Sequence, residues 1–533
     1  MLNVPAVAAI AAVTLLTVAV GARGVRIART PDDFLVAARE VPPGLNAAAI
    51  SGEYLSAASF LGIAGLIVSQ GLGALWYSVG YTAGYLVLLL LVAAPLRRFG
   101  AYTIPDFAEG RFASRGLRRA TTGLVLIIGW FYLLPQMKGA GITLQLVLGT
   151  PYWVGVVALG VVVSANIAMG GMKGVTFVQC FQYWLKLCAI GIPALVLLAA
   201  AGHGSTRNLS PDGQPVFSHR TTVQVQTGTE FKLARPTTVR VTGTLDRTRL
   251  ADQTVHLPAG MHTAASGAAM VFAAGSPVPA SLSMIQPAST TWDSPFLTAG
   301  TDGAHPLLAT YGVIIATLFG ALGLPHILVR FYTVPSARTA RRSVLWAIGI
   351  IGTFYLLTLA SSSSVSHDLY ANVIKKGTAS ERQEVVVARS SALVIGAVSI
   401  VLGVLAINLN VAFLVALAFA VAASGNVPAI LYSLFWKRFN TVGATAGVLV
   451  GGGACCCAIV ATMFGAATRS WGAALLGQPA VWTVPLAFGV MILTSLLTQQ
   501  AIPPQVEHMM LRMHLPEGLI RGTYRAGRPY SRA

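Results

Sequence analysis

Charged residues are scarce in this sequence, and that scarcity sets the class of protein. Only 10% of the 533 residues are charged, 17 of them acidic, whereas 55% are hydrophobic and the mean hydropathy is +0.70. Soluble domains carry about 25% charged residues. With so few charged groups to cover a water-exposed surface, the chain is predicted to be a polytopic α-helical membrane protein.

Cysteine and catalytic motifs are also scarce. The five cysteines lie in apolar segments, and the adjacent triplet Cys455, Cys456 and Cys457 has neither metal-ligand spacing nor a disulfide partner. GxSxG, P-loop and HExxH motifs are missing, and no pair of carboxylates suggests acid–base catalysis. We therefore expect no enzyme and no cofactor. The formal net charge of +19 comes without a nucleic-acid-binding motif, so no nucleic-acid partner is expected.

Long hydrophobic runs are abundant, and about 20 apolar residues suffice to cross a bilayer. The first run, from Val4 to Val20, has no basic region before it, which predicts a first span rather than a cleaved signal peptide. Twelve spans are predicted near residues 4–22, 44–68, 74–95, 120–148, 151–169, 175–200, 306–329, 344–366, 389–407, 411–436, 441–464 and 481–499.

Basic residues between the spans predict their orientation, because Lys and Arg favour cytoplasmic loops. Arg97 and Arg98 follow the third span, and Arg330 is counted with the loop after the seventh. This charge pattern places the N-terminus outside and the C-terminus in the cytoplasm. The segment from Val344 to Ser366 has basic residues on both flanks, so either it re-enters, it lies partly in the interface, or a neighbouring crossing is missing.

Residues 202–306 differ in kind from the spans. The stretch TTVQVQTGTEFKLARPTTVRVTGTL alternates β-branched with polar residues, which is typical of short strands. An extracytoplasmic β-rich insertion and a disordered loop are both compatible with this composition. A basic tail beyond about Pro503 is expected at the cytoplasmic membrane surface.

Polar residues within the predicted spans are the candidates for function. The second span, GLNAAAISGEYLSAASFLGIAGLIV (44–68), carries Glu53 among small and hydroxyl residues. An intramembrane carboxylate usually faces a polar cavity, and nearby glycines allow a helix to unwind. Helix packing through small residues is the alternative for this span. The other polar candidates include Tyr132, Gln136 and His326, and each of them alone also fits a structural role.

Four stretches resemble the sodium/solute symporter family, and more closely its cation–acetate (monocarboxylate) branch. They are GEYLSAASFLGIAG (52–65), GGMKGVTFVQCFQYWLKL (170–187), GLPHILVRFYTVPSARTARRS (323–343) and SVSHDLYANVIKKG (364–377). The resemblance implies a LeuT-like bundle of two inverted five-helix repeats with thirteen spans. It also implies sodium-coupled import of a short monocarboxylate such as acetate, propionate or pyruvate across the bacterial plasma (inner) membrane.

The resemblance also suggests site residues. It maps backbone sodium ligands onto Gly52 and Leu55, next to a carboxylate-binding break in the second span. The candidate pathway walls are Ser51, Ser56, Ser59, Tyr132, Gln136 and His326. Glu53 is interpreted either as a coupling carboxylate or as a structurally paired one.

One departure from the family pattern stands out. The residues TFYLLTLASSSSVSHDLY (353–370) pass directly from the helix that begins at Val344 to the SHDLY motif. The family has a loop and a further helix between these points, so an internal deletion near residues 357–360 is predicted. The lost helix is the one on which the family places its hydroxyl cation ligands. Two alternatives to a sodium symporter therefore remain: a protein of the same fold that no longer transports, and a passive carrier for small acids.

The predicted spans, insertion and tail divide the chain into five parts. Residues 1–200 hold spans one to six with the first repeat, and residues 201–305 form the insertion. Residues 306–436 hold a second repeat that is one helix short, 437–502 the last spans, and 503–533 the tail.

Overall fold

Apolar helices and one antiparallel sheet form the regular structure of the chain. The computed structural model describes residues 4–27, 30–54, 63, 66, 72–202, 216–225, 229–265, 267–281, 294–297, 305–349, 393–401, 403–404, 411–463 and 471–515. The chain divides into two units. The first is Met1–Ala64, Leu75–Leu187 and Phe296–Ala533, and the second is Gly65–Ala74 and Cys188–Pro295.

The described chain contains seventeen α-helices. In chain order they are α1 Val4–Ile27, α2 Pro31–Val36, α3 Pro43–Tyr54, α4 Trp76–Val87, α5 Ala93–Phe99, α6 Ile104–Phe112, α7 Arg115–Leu148, α8 Tyr152–Gly202, α9 Pro306–Gly323, α10 Pro325–Tyr332, α11 Ala337–Gly349, α12 Val411–Phe435, α13 Thr441–Gly447, α14 Gly453–Met463, α15 Trp471–Gly477, α16 Ala480–Leu497 and α17 Val506–His514. Two π-helical turns, Leu88–Val92 and Val448–Gly452, join α4 to α5 and α13 to α14.

Seven segments of the described chain are long and apolar enough to cross a membrane. They are Val4–Ala22, Gly73–Phe99, Arg115–Leu148, Pro306–Tyr332, Leu414–Phe435, Thr441–Thr462 and Ala480–Leu497. Each coincides with one of the twelve predicted spans. A shorter apolar helix, Tyr152–Ala168, matches the fifth predicted span. The predicted junction near residues 357–360 lies outside the described residues.

The long helix α8 is broken at one residue. Gly171 has φ 52° and ψ −154°, so two helical runs meet there. A side chain at this position would be strained by the positive φ, and a Cβ would lie 2.5 Å from the Phe34 ring. The predicted connection between the fifth and sixth spans falls at this glycine.

Helices α4 and α9 pack through small residues. A Cβ on Gly84 would lie 2.6 Å from both the Ala321 Cβ and the Leu318 carbonyl oxygen. A Cβ on Gly80 would lie 2.1 Å from the Thr317 hydroxyl. Close backbone approach of this kind drives helix association in lipid, where no hydrophobic gain is available.

We expect Gly84→Leu to destabilise the helix bundle by about 1–3 kcal/mol, because the larger side chain forces α4 and α9 apart. Gly123→Leu is the matched control, since a Cβ on Gly123 meets nothing within 4 Å. Thermal unfolding of the detergent-purified protein, followed by size-exclusion chromatography, measures the difference. Equal melting temperatures for the two variants would contradict the close contact.

The second unit contains the sheet. Its strands are β1 Thr221–Gln224, β2 Thr229–Leu233, β3 Thr237–Leu245, β4 Thr248–Leu257, β5 Gly260–Ala264, β6 Ala269–Phe272 and β7 Ala280–Ser281. They pair antiparallel in the order β1-β6-β3-β5-β2-β7, with β4 on β3. The first half of β3 alternates buried and exposed residues. Its Val239 and Val241 lie in the hydrophobic core of the second unit with Phe231 and Phe272. The three strands β1 to β3 occupy the stretch whose alternation predicts strands.

A buried histidine links the β3–β4 turn to β5. The Nδ1 atom of His262 lies 2.7 Å from Asp246 Oδ2, and its Nε2 lies 2.9 Å from the Pro258 carbonyl oxygen. Both ring nitrogens thus face acceptors, which favours the doubly protonated ring. Burial lowers the pKa of His262, but the bonds to Asp246 and Pro258 outweigh it and the pKa is raised above 6.5. Burial raises the pKa of Asp246, but the bonds from His262 and Thr263 leave it below 3.8.

The stabilisation by this pair is therefore predicted to depend on pH. The His262 contribution is complete below its unfolded pKa of 6.5 and is lost as pH rises through its raised folded pKa. The Asp246 contribution is present above 3.8 and is lost as pH falls through its lowered folded pKa. Amide exchange of β5, corrected for the intrinsic pH effect, should show stronger protection at about pH 5.5 than at about pH 8.5.

His262→Gln should remove this pH dependence. His256→Gln is the control, because His256 is an exposed histidine on the neighbouring strand β4. Unchanged pH dependence in the His262 variant would show that another group is responsible.

Candidate functional site

A fully buried arginine is the centre of the polar interior. Arg330 is 0% exposed and Glu53 1% exposed, and the Arg330 Nε donates to Glu53 Oε1 at 2.9 Å. One terminal nitrogen of Arg330 donates to the Thr176 hydroxyl at 2.8 Å, and the other donates to Gln179 Oε1. The ion pair joins α3 to α10, and the bonds to Thr176 and Gln179 add α8. We call these four side chains the arginine network.

Two further side chains bond the backbone carbonyl oxygen of Arg330. The Thr333 hydroxyl donates to the Arg330 carbonyl oxygen at 2.9 Å, and Asn46 Nδ2 reaches the same oxygen at 3.4 Å. Both residues are fully buried. The end of α10 is thus fixed to the start of α3 by side-chain and main-chain bonds.

This arrangement corrects the sequence interpretation of Arg330. The charge pattern assigns it to a cytoplasmic loop, but the structure buries it inside α10, 277 residues from its carboxylate partner. An arginine is retained there because its charge is paired and its donors are bonded. For Glu53 the structure shows a paired carboxylate, whose second oxygen has no hydrogen-bond partner within the described part of the chain. A coupling role for Glu53 stays a prediction.

The helix that carries Arg330 begins at a break six residues before it. Leu324 is extended (φ −69°, ψ 119°) between α9 and α10, and Pro325 begins α10 without an N–H group. Asn426 of α12 donates from Nδ2 to the Gly323 carbonyl oxygen at 2.7 Å. The sequence predicts an unbroken span over 306–329, so the break is a finding of the structure. Its signal in the sequence is the Gly-Leu-Pro run that starts at Gly323.

Predicted pathway residues from two helices come together beside this break. The ring of His326, in the first turn of α10, lies 4.8 Å from the Tyr132 ring of α7, centroid to centroid. Phe419 of α12 lies 6.0 Å from the same tyrosine ring. Gln136 follows Tyr132 by one turn of α7 and is fully buried. We call His326, Tyr132, Gln136 and Phe419 the polar–aromatic cluster.

Two members of this cluster have buried polar atoms without protein partners. Both ring nitrogens of His326 and both amide atoms of Gln136 lack a hydrogen bond to any residue of the described chain. These two residues are 1% and 0% exposed. Buried polar atoms are nearly always satisfied in proteins, so such atoms indicate a ligand or an ordered water. The cluster can donate hydrogen bonds to a small polar solute between aromatic walls.

The remaining predicted site residues lie apart from this cluster or outside the description. Helix α3 runs through Gly52 to Tyr54, so the expected unwinding is not seen at Gly52 itself. A Cβ on Gly52 would lie 3.0 Å from the Gln179 carbonyl oxygen, which explains the glycine by packing. Ser51 donates to the Ala347 carbonyl oxygen at 3.4 Å. Leu55, Ser56 and Ser59 lie outside the described residues, so the sodium half-site at Gly52 and Leu55 stays a prediction.

A bundle of apolar helices with one helix broken beside buried polar groups has the construction of a secondary transporter. The sequence model of the sodium:solute symporter family matches residues 34–242, 253–360 and 350–451. The chain belongs to the sodium:solute symporter family.

Individual relatives agree with this assignment. The chain is 32% identical over 526 residues to a monocarboxylic acid transporter of Corynebacterium glutamicum, with 86% of this chain and 84% of the relative covered. It is 30% identical over 482 residues to the uncharacterized symporter YwcA of Bacillus subtilis, with 79% of each covered.

A solved structure shares the fold. It is the substrate-bound outward-open state of a Na+-coupled sialic acid symporter, with a TM-score of 0.56 and 13% sequence identity. The match covers 90% of this chain and 96% of that one. At this identity the likeness establishes the LeuT-like fold. It does not identify the solute.

The arginine network should show strong coupling in stability. Arg330→Met leaves Glu53 buried without its counter-charge, so we expect a loss of about 3–5 kcal/mol. The double variant Arg330→Met with Glu53→Leu should recover much of that loss, because neither charge remains. Titration with SDS in mixed micelles measures unfolding.

The exposed pair Lys437–Glu507 serves as the control. Its charged atoms are 3.7 Å apart and both side chains are largely exposed. Glu507→Ala should change stability by less than about 1 kcal/mol. Equal losses in the Arg330 single and double variants would mean that packing, rather than charge pairing, dominates at this position.

Proposed function

We propose that this protein is a sodium-coupled symporter that imports a short monocarboxylate by alternating access. The observation that carries the proposal is the broken helix α9–α10 with the unpartnered atoms of His326 and Gln136 beside it. The name of the Corynebacterium relative supports a monocarboxylic acid as solute. Acetate, propionate and pyruvate are the solutes that we expect.

A carboxylate fits the chemistry at the break. The helix dipole favours negative charge at the N-terminus of α10, where Pro325 has no N–H group and the N–H of His326 is the first of the helix. His326 and Gln136 add side-chain donors, and Tyr132 and Phe419 add apolar surface for a short hydrocarbon chain. In this proposal the carboxylate lies at the α10 N-terminus and the alkyl group lies against the two rings.

Sodium is proposed as the coupling ion on the α3 side. The family, and the Na+-coupled symporter that shares the fold, support sodium. The backbone oxygens of Gly52 and Leu55 would supply half of its ligands, since hard oxygen atoms suit a small cation. Glu53, held by Arg330, would fix the orientation of α3 at that point.

The orientation and division of the chain belong to the same proposal. The resemblance to the family supports a location in the bacterial plasma (inner) membrane, and the basic loops support an orientation with the N-terminus outside and the C-terminus in the cytoplasm. Residues 201–305, including the sheet, would then form an extracytoplasmic insertion. The divisions 1–200, 306–436, 437–502 and 503–533 are proposed on the same basis.

A protein that no longer transports is the second candidate, and one observation favours it. Two of the segments that match the family overlap at residues 350–360, around the junction where a crossing is proposed to be missing. Loss of that helix would remove the hydroxyl ligands that face Gly52 and Leu55. Either water or other protein oxygens would then have to complete a sodium site.

Uptake of labelled acetate into proteoliposomes, with and without a sodium gradient, separates these functions. Saturable, sodium-dependent uptake is expected for the symporter. Flux that ignores sodium would support a passive carrier, and absence of flux from correctly inserted protein would support the non-transporting alternative. Propionate and pyruvate as competitors would rank the solutes.

Gln136→Leu tests the proposed solute site within that assay. Loss of a hydrogen bond to a carboxylate should raise the KM for the solute by about tenfold or more, because such bonds contribute about 1.5–3 kcal/mol. Gln145→Leu is the matched control, since Gln145 is exposed on the same helix. Equal KM values for the two variants would exclude Gln136 from the solute site.

A further inference from the structure

A cleft rich in arginine lies between helices α5 and α11. Its volume is about 290 Å³, and its walls include Arg98, Arg338, Arg341 and Arg342 together with Leu89 and Leu345. All of these residues belong to the first structural unit. Neither the arginine network nor the polar–aromatic cluster contributes to its walls, so the cleft is a separate feature.

The arginines of α11 form a concentrated positive charge. Arg338, Arg341 and Arg342 are exposed, and Arg341 and Arg342 follow Arg338 by three and four residues, so both are its neighbours on one face of α11. Like charges at these spacings repel each other. None of the three makes an ion pair with a carboxylate in the described part of the chain. A bound anion would relieve this repulsion, and the planar guanidinium group suits bidentate bonding to phosphate.

The fourth arginine is fixed at the rim of the cleft. The Arg98 side chain donates to the carbonyl oxygens of Met513 and His514, at 3.0 and 3.3 Å. These oxygens lie at the end of α17, the last described helix. Arg98 therefore adds its charge to the cleft from a held position, which reduces the entropy lost when an anion binds.

The apolar walls run away from the arginines along both helices. Leu89 precedes Arg98 by nine residues, about 13 Å along a helix axis, and Leu345 follows Arg338 by seven, about 10 Å. Leu345 is 57% exposed, and Leu90, next to Leu89, is 61% exposed. Arg98 lies at the end of the apolar segment Gly73–Phe99, so we expect the charged end of the cleft at the membrane boundary and the apolar end within the bilayer.

We propose that this cleft binds an anionic phospholipid, with its phosphate on the arginines and an acyl chain along Leu89 and Leu345. A ligand with one charged end and one long apolar end matches the distribution of charge and apolar surface along the cleft. The loop charges place this end of the bundle on the cytoplasmic side, where anionic lipids and basic clefts between helices commonly meet. A free phosphate would use only the charged half.

Lipid retention by the purified full-length protein tests the proposal. The protein would be equilibrated with phosphatidylglycerol and phosphatidylcholine in mixed micelles, and bound lipid would be measured by native mass spectrometry. The variant Arg338→Gln with Arg341→Gln and Arg342→Gln should retain at least about tenfold less phosphatidylglycerol, because clustered basic residues near a membrane surface attract anionic lipid. Phosphatidylcholine retention should not change.

A matched variant controls for net charge. Arg115→Gln with Arg119→Gln and Arg438→Gln removes three exposed arginines elsewhere on the predicted cytoplasmic side and should retain phosphatidylglycerol as the unmodified protein does. Leu345→Gln leaves the arginines in place. It should lower phosphatidylglycerol retention, because it removes apolar surface that would contact the acyl chain. Equal retention in both triple variants would overturn the proposal. Displacement of the lipid by glycerol 3-phosphate at equal concentration would overturn it in favour of a soluble phosphate ligand.

Discussion

The pairing of Arg330 with Glu53 is the constraint on which the rest of the helical interior depends. Both side chains are fully buried, and each charge alone would cost several kcal/mol in a low-dielectric bundle. The pair is tolerated because both terminal nitrogens of the guanidinium group also donate hydrogen bonds, one to Thr176 and one to Gln179. Once these bonds form, three helices far apart in sequence have little freedom to shift relative to each other.

The break at Leu324 lies at the other end of α10 from this pair. Pro325 prevents α9 from continuing, and Asn426 bonds the Gly323 carbonyl oxygen that the interruption leaves free. Pro325 then begins the new helix α10, which is held near its other end at Arg330. The same few bonds therefore hold the ring of His326 beside Tyr132, in the first turn of α10.

Seven of the twelve predicted spans coincide with described helices that are long and apolar enough to cross a membrane, because each of them depends on local composition. The sequence also supplies Tyr132, Gln136 and His326 as polar residues within apolar runs, which the structure brings to one place. It does not predict the role of Arg330. The positive-inside rule considers only where a basic residue lies relative to the apolar spans. It takes no account of a carboxylate partner 277 residues away in the sequence. Phe419 is not predicted as a site residue for a related reason: an aromatic residue within an apolar run does not indicate which residues of other helices it contacts.

The arginine network also bears on how two sites in this fold can be coupled. Helix α3 carries Gly52 and Glu53, whereas α10 carries His326 and Arg330, so the ion pair is a direct link between the proposed cation side and the proposed solute side. A shift of either helix must move the other or break a buried pair, which costs about 3–5 kcal/mol. None of the four network residues lies within 350–392, so an internal deletion near 357–360 removes none of them. Such a deletion would therefore weaken cation binding without removing the connection through which bound cation and solute influence each other.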